Sequence, residues 1–191
     1  MLVRPSQSEV LIEADAPFYG KLYFSTSTVN KEHSTPSSQW NTGPVDPQGL
    51  LFDASDRNIL CQSLLGNKCV VGSADHGLKE FDTRTGKQIR ELYNKKSGHS
   101  EWVTCVSHLS DGRIVSGGMD NKLCLWGERG GRCTDLIGHS GSISSVCTSA
   151  SGSHVISTSY DKTVRVWHTQ RGSEVTTLRG HTAPVLDLDW S

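Results

Sequence analysis

The 191-residue sequence lacks the features that mark several classes of protein. It has no run of roughly 18 apolar residues, which a membrane-spanning helix needs, and its first residues contain no apolar core of signal-peptide length. No Asn-x-Ser/Thr glycosylation site occurs. The formal net charge of −1 provides no overall field that would attract nucleic acid or anionic lipid. From these absences we expect a cytoplasmic or nuclear protein that binds neither membranes nor nucleic acids.

Motifs for catalysis and metal binding are also missing. The sequence has no G-x-S-x-G, no phosphate-binding loop and no H-E-x-x-H, and the glycine-rich stretch Gly127–Arg132 is typical of a turn. The six cysteines contain no C-x-x-C pair, and no two histidines lie at metal-ligand spacing. We therefore predict no catalytic residue, metal site, cofactor or small-molecule substrate. We expect the cysteines to be reduced and buried as small apolar groups.

What the sequence does contain is a repeated unit. Gly98-His99, Gly138-His139 and Gly180-His181 begin successive units, and a period of roughly 40–45 residues with this dipeptide is typical of propeller blades. An Asp lies six residues before an aromatic residue in each of three units, in the pairs Asp75 and Phe81, Asp120 and Trp126, and Asp161 and Trp167.

These units resemble WD repeats, the blades of a family of β-propellers. The resemblance covers about residues 58–191 and is carried by the Gly-His spacing and the Asp-to-Trp offset, because only Phe81-Asp82 keeps the acid that follows the aromatic residue. It implies an all-β fold, a partial WD-repeat β-propeller of four-stranded antiparallel blades. This chain alone does not supply the four to eight blades that close a ring.

The resemblance also implies how the chain is divided. We expect residues 1–57 to hold N-terminal strands and a Ser/Pro-rich loop (Asn30–Gly49), either as a hairpin or as a degenerate blade. The WD-repeat blades are expected over residues 58–191. Their predicted bounds are 58–97, 98–137 and 138–179, with 180–191 as the start of a next blade.

In WD repeats a His, a Ser or Thr, an Asp and a Trp form a buried hydrogen-bond network. An indole N–H only donates, a carboxylate only accepts, and imidazole and hydroxyl groups do both, so the four can form a chain. A catalytic role is the alternative, but residues that recur once per unit indicate a framework. The residues implied are His99, Ser116, Asp120 and Trp126 in one blade and His139, Ser157, Asp161 and Trp167 in the next.

The first unit departs from this pattern. Val71 stands where the other units have Ser, Phe81 replaces the Trp, and no Gly-His dipeptide precedes the unit. We therefore predict that this blade is held by apolar packing alone and is the least polar of the three inside.

Binding residues are expected on loops, which the strands position. The loops before the first strand and after the second strand of each blade share one face of a propeller. On that face Trp102, Met119 and Tyr160 are predicted partner contacts, since such residues are enriched at interface centres; packing between blades is the alternative for Trp102 and Met119. The basic stretch Lys79–Lys96 could contact an acidic partner or a phosphate backbone, although a solvated outer strand and loop is favoured.

The end of the sequence bears on function. Pro184–Ser191 is predicted to be the first strand of a further blade, which leaves open edges that invite self-association. We expect a fragment or truncated product; the alternative is a ring completed by the N-terminal strands and a second copy. The predicted function is a non-enzymatic scaffold that binds other proteins, as part of a larger WD-repeat protein in a multiprotein complex. Alternatives are a peptide or modified-peptide reader, an enzyme on a propeller scaffold, and a product without independent function.

Overall fold

The computed structural model describes residues 10–11, 21–24, 50–93 and 97–190, with side chains from residue 54 onward. These residues contain 15 β-strands and no helix. The first three strands are β1 Val10–Leu11, β2 Lys21–Phe24 and β3 Leu50–Asp53. They form an antiparallel sheet in the order β1-β2-β3.

The N-terminal sheet agrees in part with expectation. The two predicted strands at Glu9–Ala14 and Lys21–Val29 pair over shorter ranges, and β3 adds a third strand that was not predicted. The predicted loop Asn30–Gly49 lies outside the described residues. The division of the chain at residue 57 stays a prediction.

The other twelve strands form three four-stranded sheets, which we call the first, second and third blades. In each blade the four strands are antiparallel neighbours in chain order, and the blades do not close a ring within the described part of the chain. The predicted all-β fold with four-stranded antiparallel blades is confirmed. The first blade has β4 Ile59–Leu65, β5 Lys68–Ser73, β6 Leu78–Asp82 and β7 Gln88–Glu91. The second has β8 Val103–His108, β9 Ile114–Gly118, β10 Lys122–Trp126 and β11 Cys133–Ile137. The third has β12 Ile143–Thr148, β13 His154–Ser159, β14 Val164–His168 and β15 Ser173–Leu178.

A β-bulge recurs in the first strand of every blade. The register with the second strand shifts after Ile59, Val103 and Ile143. An extra residue at a bulge reverses the alternation of side chains, so buried positions can lie three residues apart. The bulge accounts for the three-residue apolar step from Val103 to Val106 and from Ile143 to Val146, all of which are buried.

The blades pack face to face through these first strands. β4 contacts β8, and β8 contacts β12. The fit is close at Gly117, where a Cβ atom would lie 2.5 Å from Ile143 Cγ2 and 2.7 Å from Cys105 Sγ. A larger residue there would force neighbouring blades apart, since protein interiors are close-packed.

The segment after β15 differs from expectation. Residues 179–190 contain no strand, although Pro184–Ser191 was predicted to be one. The segment contacts β12 and the end of β13 at separate points: Val185 N–H donates to Ser159 O at 3.3 Å, and Ser145 Oγ donates to Asp187 Oδ1 at 2.8 Å. A strand needs a continuous ladder of backbone hydrogen bonds, and these contacts do not provide one.

Candidate functional site

The four implied residues of the second blade lie within hydrogen-bonding distance of one another. Trp126 Nε1 donates to Ser116 Oγ at 2.9 Å, and Ser116 Oγ lies 2.8 Å from His99 Nε2. His99 Nδ1 is 2.9 Å from Asp120 Oδ1. His99, Ser116 and Trp126 are buried. Since the carboxylate only accepts, His99 Nδ1 donates to it, and the hydroxyl of Ser116 donates to Nε2.

The third blade repeats this arrangement. Trp167 Nε1 donates to Ser157 Oγ at 2.8 Å, Ser157 Oγ lies 2.8 Å from His139 Nε2, and His139 Nδ1 lies 2.8 Å from Asp161 Oδ2. Thr163 adds a hydrogen bond that the second blade lacks. Its hydroxyl donates to Asp161 Oδ1 at 2.6 Å, whereas Lys122 occupies the equivalent position in the second blade.

Burial and hydrogen bonding act in opposite directions on the carboxylates of these networks. Burial alone would raise the pKa of Asp161, but hydrogen bonds from Thr163, Ser140 and His139 outweigh it and hold that pKa well below its usual range. The pKa of Asp120 is lowered in the same way, by the hydrogen bond from His99. Burial lowers the pKa of His139, although Asp161 opposes this shift. In the third blade the neutral imidazole of His139 is therefore the stable form.

The order Asp–His–Ser is that of a hydrolase triad, but the hydroxyl cannot act as its nucleophile. Ser116 and Ser157 have no exposed surface. Each oxygen also accepts an indole N–H, so no substrate atom can approach it. The geometry fits a structural network.

The first blade contradicts the prediction that it is held by apolar packing alone. Glu80 on β6 is buried, and Arg90 Nε on β7 donates to its Oε2 at 2.6 Å. His108 Nε2, at the end of β8 in the next blade, lies 3.4 Å from Glu80 Oε1. Buried charges need such partners. We call Glu80, Arg90 and His108 the inter-blade charge cluster.

Arg90 extends this cluster to the loops of the second blade. Its guanidinium donates to the carbonyl of Gly127 at 2.9 Å, to the carbonyl of Glu128 and to the carbonyl of Gly112 at 3.4 Å. Hydrogen bonds from His108 and Arg90 outweigh the effect of burial and lower the pKa of Glu80, which keeps it ionised. Arg90 therefore faces the protein interior, so the described part of the basic stretch, residues 79–93, is not a uniformly solvated surface.

The first blade also carries a shortened form of the repeated network. Ser55 stands in the place of the His, and its hydroxyl donates to Asp75 Oδ2 at 2.8 Å. Ser73 Oγ and Gly77 N–H donate to the other carboxylate oxygen. The Asp of the turn is thus bonded in all three blades, while its partners differ.

Hydrogen bonds connect the loops that carry the three predicted partner contacts. Trp102, Met119 and Tyr160 are 47%, 44% and 55% exposed. Met119 N–H donates to Trp102 O at 2.9 Å, and Ser142, which donates to Met119 O at 3.4 Å, accepts from Tyr160 N–H at 3.0 Å. We call Trp102, Met119 and Tyr160 the face row.

Four of the six cysteines are buried as expected, whereas Cys61 and Cys147 are only half-buried. All six are free thiols, and burial raises the pKa of Cys69 and of Cys105 to about 12, as expected for apolar groups. Cys124 and Cys133 differ, because they lie next to each other beside Asp135. The hydrogen bond between the two thiols raises the pKa of Cys124 and lowers that of Cys133. Sequence spacing did not reveal this pair.

Comparison with known proteins identifies the repeats. The family profile described as "WD domain, G-beta repeat" matches residues 86–127 and 130–168. The chain therefore contains WD repeats at these two positions. Two solved WD-repeat folds are similar to it, "Structure of U3-55K" at 22% identity and "Crystal structure of RRP9 WD40 repeats" at 23%, each with a TM-score of 0.62 over 66% of this chain and 40% of the other. These likenesses show the fold.

Curated relatives extend beyond the matched region. Autophagy-related protein 16 of Arabidopsis thaliana is 32% identical over 148 residues, which is 74% of this chain and 28% of that protein. The ribosome biogenesis protein WDR12 homolog of Drosophila mojavensis is 33% identical over 129 residues, 64% of this WD-repeat chain and 28% of its own length.

In the part of this chain that the structure describes, no helix is long and apolar enough to cross a membrane.

Proposed function

We propose that this WD-repeat chain is a non-catalytic scaffold that binds partner proteins through the face row. The observation that carries the proposal is the exposure of Trp102, Met119 and Tyr160 at positions where the fold does not need large apolar side chains. Exposed large apolar residues that lie together favour an interaction site.

The first blade provides the internal comparison. There the backbone hydrogen bond equivalent to that of Met119 with Trp102 joins Ala74 N–H to Asn58 O at 2.9 Å. The same turn geometry thus forms with a small and a polar residue. Since backbone hydrogen bonds determine this geometry, the side chains of Trp102 and Met119 are available for another role.

The relatives support a scaffold in general terms only. Their names refer to autophagy and to ribosome biogenesis. These are different processes, so they favour a common binding module and do not specify a partner. A cytoplasmic or nuclear location and self-association through blade edges stay predictions.

The test compares partner capture by the chain and its variants. The wild-type chain, Trp102→Ala/Tyr160→Ala and the control Ile89→Ala are immobilised, and bound proteins are quantified by mass spectrometry. Ile89 is 45% exposed on β7, away from the face row, so the control removes similar apolar surface. Losing interface anchors costs about 2 kcal/mol or more, which lowers affinity about 30-fold.

Three results decide the proposal. It predicts that partners are retained by wild type and Ile89→Ala and lost by the double variant, whose unfolding free energy changes by less than about 0.5 kcal/mol. Equal recovery by all three proteins would contradict it. A short synthetic segment of the partner that binds as tightly as the whole partner would instead support the peptide-reader alternative.

A further inference from the structure

Two cysteines and an aspartate meet on the outer hairpin of the second blade. Cys124 lies on β10, while Cys133 and Asp135 lie on β11. In the strand register Cys124 is opposite Asp135, and Trp126 is opposite Cys133. Because side chains alternate between the faces of a sheet, Cys124, Cys133 and Asp135 share one face.

The donor atoms of these side chains are spaced like the ligands of a tetrahedral metal ion. Asp135 Oδ1 lies 3.6 Å from Cys124 Sγ and 3.3 Å from Cys133 Sγ, and one donor atom from each residue falls within 4.8 Å of the others. Bond lengths of about 2.3 Å to sulfur and 2.1 Å to oxygen give tetrahedral S···O separations of about 3.6 Å. The three atoms therefore need little movement to share one ion.

We propose that Cys124, Cys133 and Asp135 bind a thiophilic divalent cation of the zinc class. Two thiolates and a carboxylate favour Zn²⁺ over the hard cations Mg²⁺ and Ca²⁺. Ser97 Oγ lies 3.0 Å from Cys133 Sγ, so this hydroxyl or a water is placed for the fourth position.

Charge balance supports the same site. Two thiolates and one carboxylate carry three negative charges, which a divalent cation leaves at −1. Lys122 Nζ lies 2.9 Å from Asp135 Oδ2, the carboxylate oxygen that faces away from the sulfurs, and its positive charge brings the total to zero. The Asp135 side chain is 38% exposed, which gives an ion a path to the buried sulfurs.

A disulfide fits this pair of cysteines less well. Cys124 and Cys133 occupy diagonal positions on paired strands, where Cα atoms lie about 7–8 Å apart. Disulfides usually join Cα atoms about 4.4–6.8 Å apart. A cation, which lies between its ligands, bridges the longer separation without moving the strands.

The test uses Co²⁺ as a spectroscopic substitute for Zn²⁺ on the whole reduced chain. Tetrahedral thiolate coordination gives Co²⁺ intense visible bands and a sulfur-to-cobalt charge-transfer band. We expect these bands to saturate at one ion per chain and to disappear when Zn²⁺ is added. Cys133→Ala should abolish them, and Asp135→Asn should weaken Co²⁺ binding about tenfold or more.

The control is Cys147→Ala, since Cys147 is a half-buried thiol on β12 outside the cluster, and it should bind Co²⁺ as wild type does. Thermal unfolding of each variant shows whether it folds. If Cys133→Ala does not fold, Asp135→Asn provides the test, because the Asp135 side chain is partly exposed. The proposal would be overturned if no bands appeared or if both cluster variants retained them. It would also be overturned if the chain lost two hydrogens by forming a Cys124–Cys133 disulfide instead of binding the ion.

Discussion

The first blade and the two blades that follow it have similar strands but different polar interiors. In the second and third blades an indole, a hydroxyl and an imidazole lead to one carboxylate in the turn. In the first blade the deepest polar group is the charged Glu80, whose partners are Arg90 and, in the next blade, His108. The buried carboxylate of the first blade therefore bonds to the neighbouring blade, whereas the carboxylate of each later network bonds within its own blade.

This difference has an energetic consequence. A hydrogen-bond network of mostly neutral groups loses about 1–3 kcal/mol when one buried member is left unpaired. Removing one partner of a buried ion pair costs about 3–5 kcal/mol, because the other charge remains uncompensated. The first blade, which matches the repeat pattern least, is expected to be the most sensitive to one substitution.

The largest effect is expected from Glu80→Ala. It leaves the guanidinium of Arg90, whose side chain is 12% exposed, without its carboxylate, so we predict a loss of about 3–5 kcal/mol in unfolding free energy. Urea denaturation followed by tryptophan fluorescence measures this loss. Glu91→Ala, an exposed neighbour on β7, is the control, and a Glu80→Ala effect as small as that of the control would remove the charge cluster from the account.

A smaller effect, and a contrast between blades, is expected at the turn aspartates. Asp161→Ala removes the acceptor of His139, Ser140 and Thr163 and should cost about 1–3 kcal/mol. The Asp161 side chain is 7% exposed, whereas Asp75 is exposed. Asp75→Ala should therefore cost less than about 1 kcal/mol. Denaturation midpoints of the two variants test the order, and a larger loss for Asp75→Ala would reverse it.

The smallest expected difference between the blades is in how their stability depends on pH. The lowered pKa of His139 means that its contribution is present above pH of about 6.5 and is lost as the pH falls through the folded value. The lowered pKa of Glu80 means that its contribution is present above about pH 4.3 and is lost below. As the pH falls from about 6.5 to about 4.3, the third blade should therefore lose stability before the first blade does.

Hydrogen exchange resolved by peptide, with intrinsic rates corrected for pH, can measure this order. Peptides from β13 and β14 should lose protection at a higher pH than peptides from β5 and β6. The opposite order would show that His139 does not control the acid sensitivity of the third blade.

Much of the fold could be predicted from the sequence, because a repeat presents the same signal several times. The offsets between Gly-His, Asp and Trp located the blades, and the same offsets selected side chains that the structure brings within hydrogen-bonding distance. The role of the face row stays a prediction. The terminal segment Pro184–Ser191 looked like a strand because strand propensity is local, whereas a strand also requires a neighbour.

The remaining features depend on contacts that no repeat pattern contains. Glu80 faces His108 only because the first two blades pack together, so comparing equivalent positions within units could not find the pair. Ser55 replaces a His without any dipeptide signal. Cys124 and Cys133 meet through the register of β10 and β11 rather than through a short spacing.

The most direct test of the account is a double-mutant cycle between Glu80 and His108, which lie on different blades. The unfolding free energies of Glu80→Ala, His108→Ala and the double variant give the coupling between the two side chains. The account predicts a coupling of about 1 kcal/mol or more, since contacting residues in one network couple by about 0.5–3 kcal/mol. Single effects that add to within about 0.3 kcal/mol would contradict the claim that Glu80 and His108 tie the first blade to the second.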